Sequence, residues 1–135
     1  MKISGKKLIF ASLAVSFLMI SVLVITGMGK TDKIAVAANG ATPASTVGNQ
    51  AGRSPFFLIF DEKGTFVEAI DNPYKDQGGG VGVSMVDFLA GKGVTVIVAE
   101  AFGPRIIEVM KGKGIRAVDF KGSAGDAAKK ALSSK

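Results

Sequence analysis

Two glycine-marked turns, each set where an apolar strand gives way to a helical pattern, do most to limit what this chain can fold into. They are Asp76-Gln77-Gly78-Gly79-Gly80-Val81-Gly82 and Ala101-Phe102-Gly103-Pro104-Arg105. Glycine permits a tight turn and a close approach of backbone to ligand, and a helix start presents unpaired N–H groups at the positive end of its dipole. Two such starts side by side make an anion-binding cleft walled by main chain. The chain has no cysteine and no histidine. That excludes thiolate and imidazole metal ligands, disulfides, Cys or His catalysis and Ser-His-Asp triads. The expected function is therefore binding, and the protein is not expected to be an enzyme.

Leu8 to Gly29 carries no charge and is made largely of Leu, Ile, Val, Phe, Met and Ala. At about 1.5 Å per residue it reaches roughly 33 Å, enough to span a hydrocarbon core. Lys2, Lys6 and Lys7 precede it, while Lys30, Asp32 and Lys33 follow. The more positive flank is N-terminal, which places the remainder outside the cytoplasm. Two fates stay open: a retained membrane anchor through residues 8–29, or a signal cleaved to leave a secreted or periplasmic domain. Ala35-Val36-Ala37 fits a small-x-small cleavage site but reads better as a strand, and cuts after Gly27 or Gly29 are weaker options. The expected division is a signal-anchor segment over 1–30 and a binding domain over 31–135.

Residues 1–30 hold four lysines and no acid, so they carry most of the formal +6. From Thr31 onward thirteen basic and eleven acidic side chains leave +2. That is an ordinary surface with no footprint for nucleic acid.

Past the apolar segment, Lys33–Ala38 reads as a short strand, and Asn39–Gly52 as a long small-residue segment, either a linker or a functional or mobile loop. Pro55–Phe60 is a nearly continuous apolar run. Asp61-Glu62-Lys63-Gly64 is turn chemistry, and Thr65–Ile70 completes a hairpin closed by Asp71-Asn72-Pro73. Val81, Met85, Phe88 and Leu89 mark one helix face, ended by Gly91-Lys92-Gly93 before a strand over Val94–Ala99. Pro104 opens a second helix, ended by Gly112-Lys113-Gly114 before a strand over Ile115–Phe120. The repeated Gly-Lys-Gly reads as a shared helix stop. Ser123 with Asp126 resembles a capping box for a last helix. The order β-β-β-α-β-α-β-α implies an α/β domain, a mixed sheet with helices packed on it.

Lys33–Ala37, Gly52-Arg53-x-Pro55 through Asp61, Asn72-Pro73, Gly79-Gly80-x-Gly82, Phe88-Leu89, Val94–Val98, Phe102-Gly103-Pro104 and Gly114-Ile115 occur in this order. Together they resemble the dinitrogenase iron–molybdenum cofactor biosynthesis family, the nitrogenase accessory-factor domain, over about residues 33–133. The resemblance implies a single ribonuclease H-like domain with a five-stranded mixed sheet in the order 3-2-1-4-5, strand 2 antiparallel, and flanking helices. It also implies non-catalytic binding or carriage of an iron–sulfur or iron–molybdenum cluster. Members that hold clusters through Cys or His have no counterpart residues here.

The expected cofactor-binding residues are Arg53, Gly79, Gly80, Gly82, Ser84, Gly103 and Arg105, around a metallocluster or another small anion held without Cys or His ligands. Each has a plainer alternative: a tight strand-to-helix joint for the glycines, a solvated charge for Arg53 and Arg105. Met85 and Met110 read as core rather than soft metal ligands. Asp61, Asp71, Glu100 and Asp119 lie near strand ends, but the first strand carries no acid, which argues against two-metal nuclease chemistry. The leading expectation is a membrane-tethered carrier. The alternative is a protein-interaction module of the same fold that has lost its cluster, with a partner the sequence does not name.

Overall fold

A computed structural model describes residues 31–134. The expected anchor or signal over Leu8–Gly29 lies outside the described residues. In chain order the elements are β1 (Ile34–Ala38), β2 (Phe56–Phe60), β3 (Phe66–Asp71), α1 (Val81–Gly91), β4 (Val96–Ala99), α2 (Pro104–Gly112), β5 (Arg116–Asp119) and α3 (Ala124–Ser133). No helix among the described residues is long and apolar enough to cross a membrane.

The sheet order is β3-β2-β1-β4-β5. β2 runs antiparallel to both β1 and β3, while β1, β4 and β5 are parallel. This is the mixed sheet expected from hairpin strands followed by helical crossovers. β1 lies in the middle, and all five of its residues are buried.

The pleat sends alternate β1 residues to two different cores. Ile34, Val36 and Ala38 face α3, whose inward residues are Ala124, Ala127, Ala128 and Ala131. Ala35 and Ala37 face the other layer, which holds Met85, Val86, Leu89 and Met110 of α1 and α2. Large strand residues thus meet an alanine helix, and strand alanines meet large helix residues. That complementarity lets both layers approach the sheet at close-packed density. The edge strand β3 is mostly exposed, and a register shift at Ile59/Phe60 interrupts its pairing.

Both Gly-Lys-Gly stops close in the same way. Gly93 (φ 82°) and Gly114 (φ 70°) are left-handed. Gly93 N–H donates to Ala90 O and Val94 N–H to Leu89 O; Gly114 N–H donates to Lys111 O and Ile115 N–H to Met110 O. These are Schellman closures with their usual apolar contact. They also explain why β4 and β5 begin later than the apolar runs suggest: Val94 and Ile115 spend their N–H groups on the preceding helix.

Candidate functional site

The long segment after β1 is not a linker. Val47 is fully buried. Its N–H donates to Gly122 O, Gly48 N–H donates to Ala37 O, and Glu100 N–H donates to Gly48 O at 3.0 Å. Gln50 pairs in parallel with Ala101. The segment is therefore laid across the carboxyl ends of β1 and β4. It packs closely at Gly48, where a Cβ would run into the Ser54 hydroxyl.

A buried amide holds the end of this segment. Asn72, at the exit of β3 and only 3% exposed, donates through Nδ2 to Gly52 O and Ser54 O, both at 2.9 Å. Its Oδ1 accepts from Tyr74 N–H. With three partners its polar atoms are satisfied, and the 52–54 backbone is clamped to the sheet.

Between that backbone and the two glycine turns lies an open cavity of about 480 Å³. Gln50, Ala51, Gly52 and Arg53 form one wall; Val81, Ala101, Phe102, Gly103 and Ile106 form the other. Val81 is the first residue of α1, and Gly103 caps the start of α2. The crevice thus sits at the carboxyl ends of parallel strands, where open α/β sheets commonly bind ligands.

The sequence-selected residues take different places around it. Arg53 and Gly103 are on the wall. Gly80 caps α1 in the left-handed region (φ 68°), which an L side chain rarely adopts. Gly82 is buried, and a Cβ there would strike Ile106, so this glycine lets α1 and α2 approach. Gly79, Gly78 and Gly103 answer to neither need. A Cβ on any of them would meet no atom within 4 Å, and none has a left-handed φ. Ser84 is off the wall, its hydroxyl accepting from Gln77 Nε2 at 3.2 Å. Arg105 is exposed, off the wall, and has no side-chain partner among the described residues. The sequence did not single out Gln50, Ala51, Ile106 or the clamp at Asn72; Gly52-Arg53 was the only local signal for that wall.

Neither helix start has a side-chain cap. The N–H groups of Val81, Gly82 and Val83 in α1, and of Arg105 and Ile106 in α2, donate to no protein acceptor among the described residues. Arg53 spends Nη1 on Lys75 O (3.0 Å) and Gln77 O (2.6 Å). Its Nε and Nη2 have no partner among the described residues. No acidic side chain lines the cavity, and no group of three or more His, Cys, Asp or Glu that could hold a metal ion occurs among the described residues. Of the residues with open N–H groups, Val81 and Ile106 line the cavity, and their open donors, a guanidinium and an apolar wall suit an anion with a weakly hydrated body. They do not suit direct coordination of a metal ion.

Among solved structures the chain is similar to the apo orange protein of Desulfovibrio gigas, with 24% identity over 76% of this chain and 88% of that one and a TM-score of 0.70. It is also similar to a NifB-like protein from Thermotoga, with 28% identity, 76% and 87% coverage and a TM-score of 0.63. The protein PH0822 shows 26% identity, 76% and 92% coverage and a TM-score of 0.63. No curated protein matches. The family of the dinitrogenase iron–molybdenum cofactor matches residues 32–134, and the chain belongs to that family.

Proposed function

We propose that this domain is a non-catalytic carrier that holds an anionic iron–sulfur or iron–molybdenum type cluster in the cavity between its two open helix starts. The observation that carries the reading is that Val81 and Ile106, each with an unpaired first-turn N–H, border with Arg53 one cavity that no carboxylate lines. Sulfides at the surface of such a cluster carry negative charge and accept N–H hydrogen bonds. The apolar side chains of Val81, Phe102 and Ile106 pack against its weakly hydrated body. The residues present fit cargo held through hydrogen bonds and packing, and they do not fit cargo held by protein–metal bonds. That is the arrangement a carrier needs, because release then breaks no coordinate bond.

Family membership supports the cargo class. The uncharged Leu8–Gly29 segment supports attachment to the membrane, with the carrier outside the cytoplasm.

Anaerobic purification of the full chain followed by iron and molybdenum analysis tests the cargo. Stoichiometric metal that falls away on Arg53→Gln supports it. Metal far below one cluster per chain removes the carrier reading and leaves an interaction module of the same fold. Topology is tested separately with C-terminal reporter fusions: activity of a reporter that works only in the cytoplasm would reverse the proposed orientation.

A further inference from the structure

Beside the main cavity lies a second one of about 210 Å³, lined by Asn39, Asn49, Gln50, Arg53 and Ser54. It shares Gln50 and Arg53 with its neighbour, but its chemistry differs. The main wall is largely apolar, whereas every side chain of the second cavity is polar: three carboxamides, a hydroxyl and a guanidinium.

Several of these groups are already committed to the fold. Ser54 Oγ donates to Gln50 O at 2.8 Å, and Asn39 Nδ2 donates to Thr46 Oγ1 at 2.9 Å. The Asn49 and Gln50 carboxamides make no side-chain hydrogen bond among the described residues. Nε and Nη2 of Arg53 are equally uncommitted, since Nη1 alone holds the carbonyls of Lys75 and Gln77. A guanidinium has five N–H donors, so three remain for a ligand. No carboxylate lines the space to compete for them.

We propose that this polar cavity is a separate subsite for a small tetrahedral oxyanion, bound by the free edge of Arg53 and the carboxamide N–H groups of Asn49 and Gln50. A charged fork with flanking neutral donors matches the several acceptor oxygens of such an ion. Its single cation makes binding dependent on charge, and its solvent-facing amides keep exchange fast. The proposal does not rest on the cluster reading: both ligands would face Arg53, but Asn49 lines only the polar cavity, so its variants read that space alone. Phosphate, sulfate and molybdate share this chemistry and are the sources to be told apart.

Calorimetric titration of the full chain at low ionic strength, with inorganic phosphate, sulfate and molybdate in separate runs, tests the subsite. At least one oxyanion should bind saturably at one site per chain, and the tightest identifies the source. Asn49→Leu removes an exposed carboxamide at nearly constant size and should weaken that binding about tenfold. Asn49→Asp, which adds a repelling charge, should weaken it further, with thermal stability unchanged in both. Val81→Trp, which fills only the apolar cavity, should leave oxyanion affinity intact while expelling the cluster.

Absence of saturable binding at millimolar oxyanion overturns the proposal. So does binding indifferent to both Asn49 variants, or binding abolished by Val81→Trp, which would place the anion in the main cavity. A wild-type chain that carries no cluster yet binds oxyanion saturably would count against the carrier reading alone.

Discussion

The three helices of this domain begin in two different ways. α3 starts with every donor answered. Ala124 N–H donates to Ser45 O, Gly125 N–H to Pro43 O, and Asp126 N–H to the Ser123 hydroxyl. Asp126 adds a negative charge in the first turn. α1 and α2 start on glycine, with no side-chain cap and no acid in the first turn. Glycine at a helix start in place of a capping side chain forgoes roughly a few tenths of a kcal/mol. The same chain that closes one start with a serine therefore leaves two open, and both open starts border the main cavity. Glycine freedom explains Gly80, and packing explains Gly82. The open starts as a pair are what the proposed ligand would complete.

The largest effect should come from removing what holds the cavity wall. Asn72→Ala leaves Gly52 O, Ser54 O and Tyr74 N–H without their buried partner, and we expect a loss of about 3 kcal/mol in urea unfolding. Cluster binding should fall with it, while the α3 side of the domain keeps its amide protection in hydrogen exchange. Uniform loss of protection would show that the cavity side and the α3 side are one cooperative unit, which would blunt the contrast between them.

Next in size is Gly82→Val, which drives a side chain into Ile106 and should cost about 2 kcal/mol by overpacking. Gly79→Ala, by comparison, has open space around its Cβ and should leave stability unchanged. If Gly79→Ala keeps full cluster affinity as well, the open glycine serves neither fold nor ligand. Dissection of the two turns would then have to start from Gly78 instead.

Much of this was legible from local pattern. The apolar runs gave five strands, the i, i+4, i+7 spacing of Val81, Met85 and Phe88 gave α1, and hairpin-then-crossover order gave a mixed sheet. The Gly-Lys-Gly stops also declared themselves, because a Schellman closure is completed within six residues. The cavity wall was less legible, since its contacts are distant in sequence. Arg53 meets Lys75 and Gln77, Asn72 meets Gly52 and Ser54, and Gln50 meets Ala101. No periodicity in Asn39–Gly52 records those pairings. The strand starts at Val96 and Arg116 were missed for a related reason: Val94 and Ile115 look like strand but serve the helices before them.

The capped start gives a smaller and sharper test. Ser123→Ala removes the acceptor for Asp126 N–H and should destabilise the domain by about 1 kcal/mol. Cluster affinity should stay at the wild-type value, because α3 packs on the opposite face of the sheet from α1 and α2. A matched loss of affinity would mean that the two faces are coupled through β1.

The smallest change in stability should carry the clearest change in function. Gly103 sits at φ −67° and ψ 153°, extended backbone that any residue can adopt and that the following proline favours. An aspartate there needs no rearrangement, and its carboxylate can accept the free N–H groups at the start of α2 much as the Ser123 hydroxyl does for α3. Gly103→Asp should therefore stabilise the domain by about 0.5 kcal/mol, through the new cap and a less flexible unfolded chain. The same carboxylate would occupy the donors assigned to the proposed ligand and set a negative charge on the cavity wall, so cluster loading should be lost. Thermal unfolding and metal content measured on one preparation decide the matter. A more stable protein without metal would show that α2 was left open at the expense of stability for the sake of binding. A more stable protein that still loads its cluster would show that the open start of α2 is not part of the site, and would shift the burden to Arg53 and the start of α1.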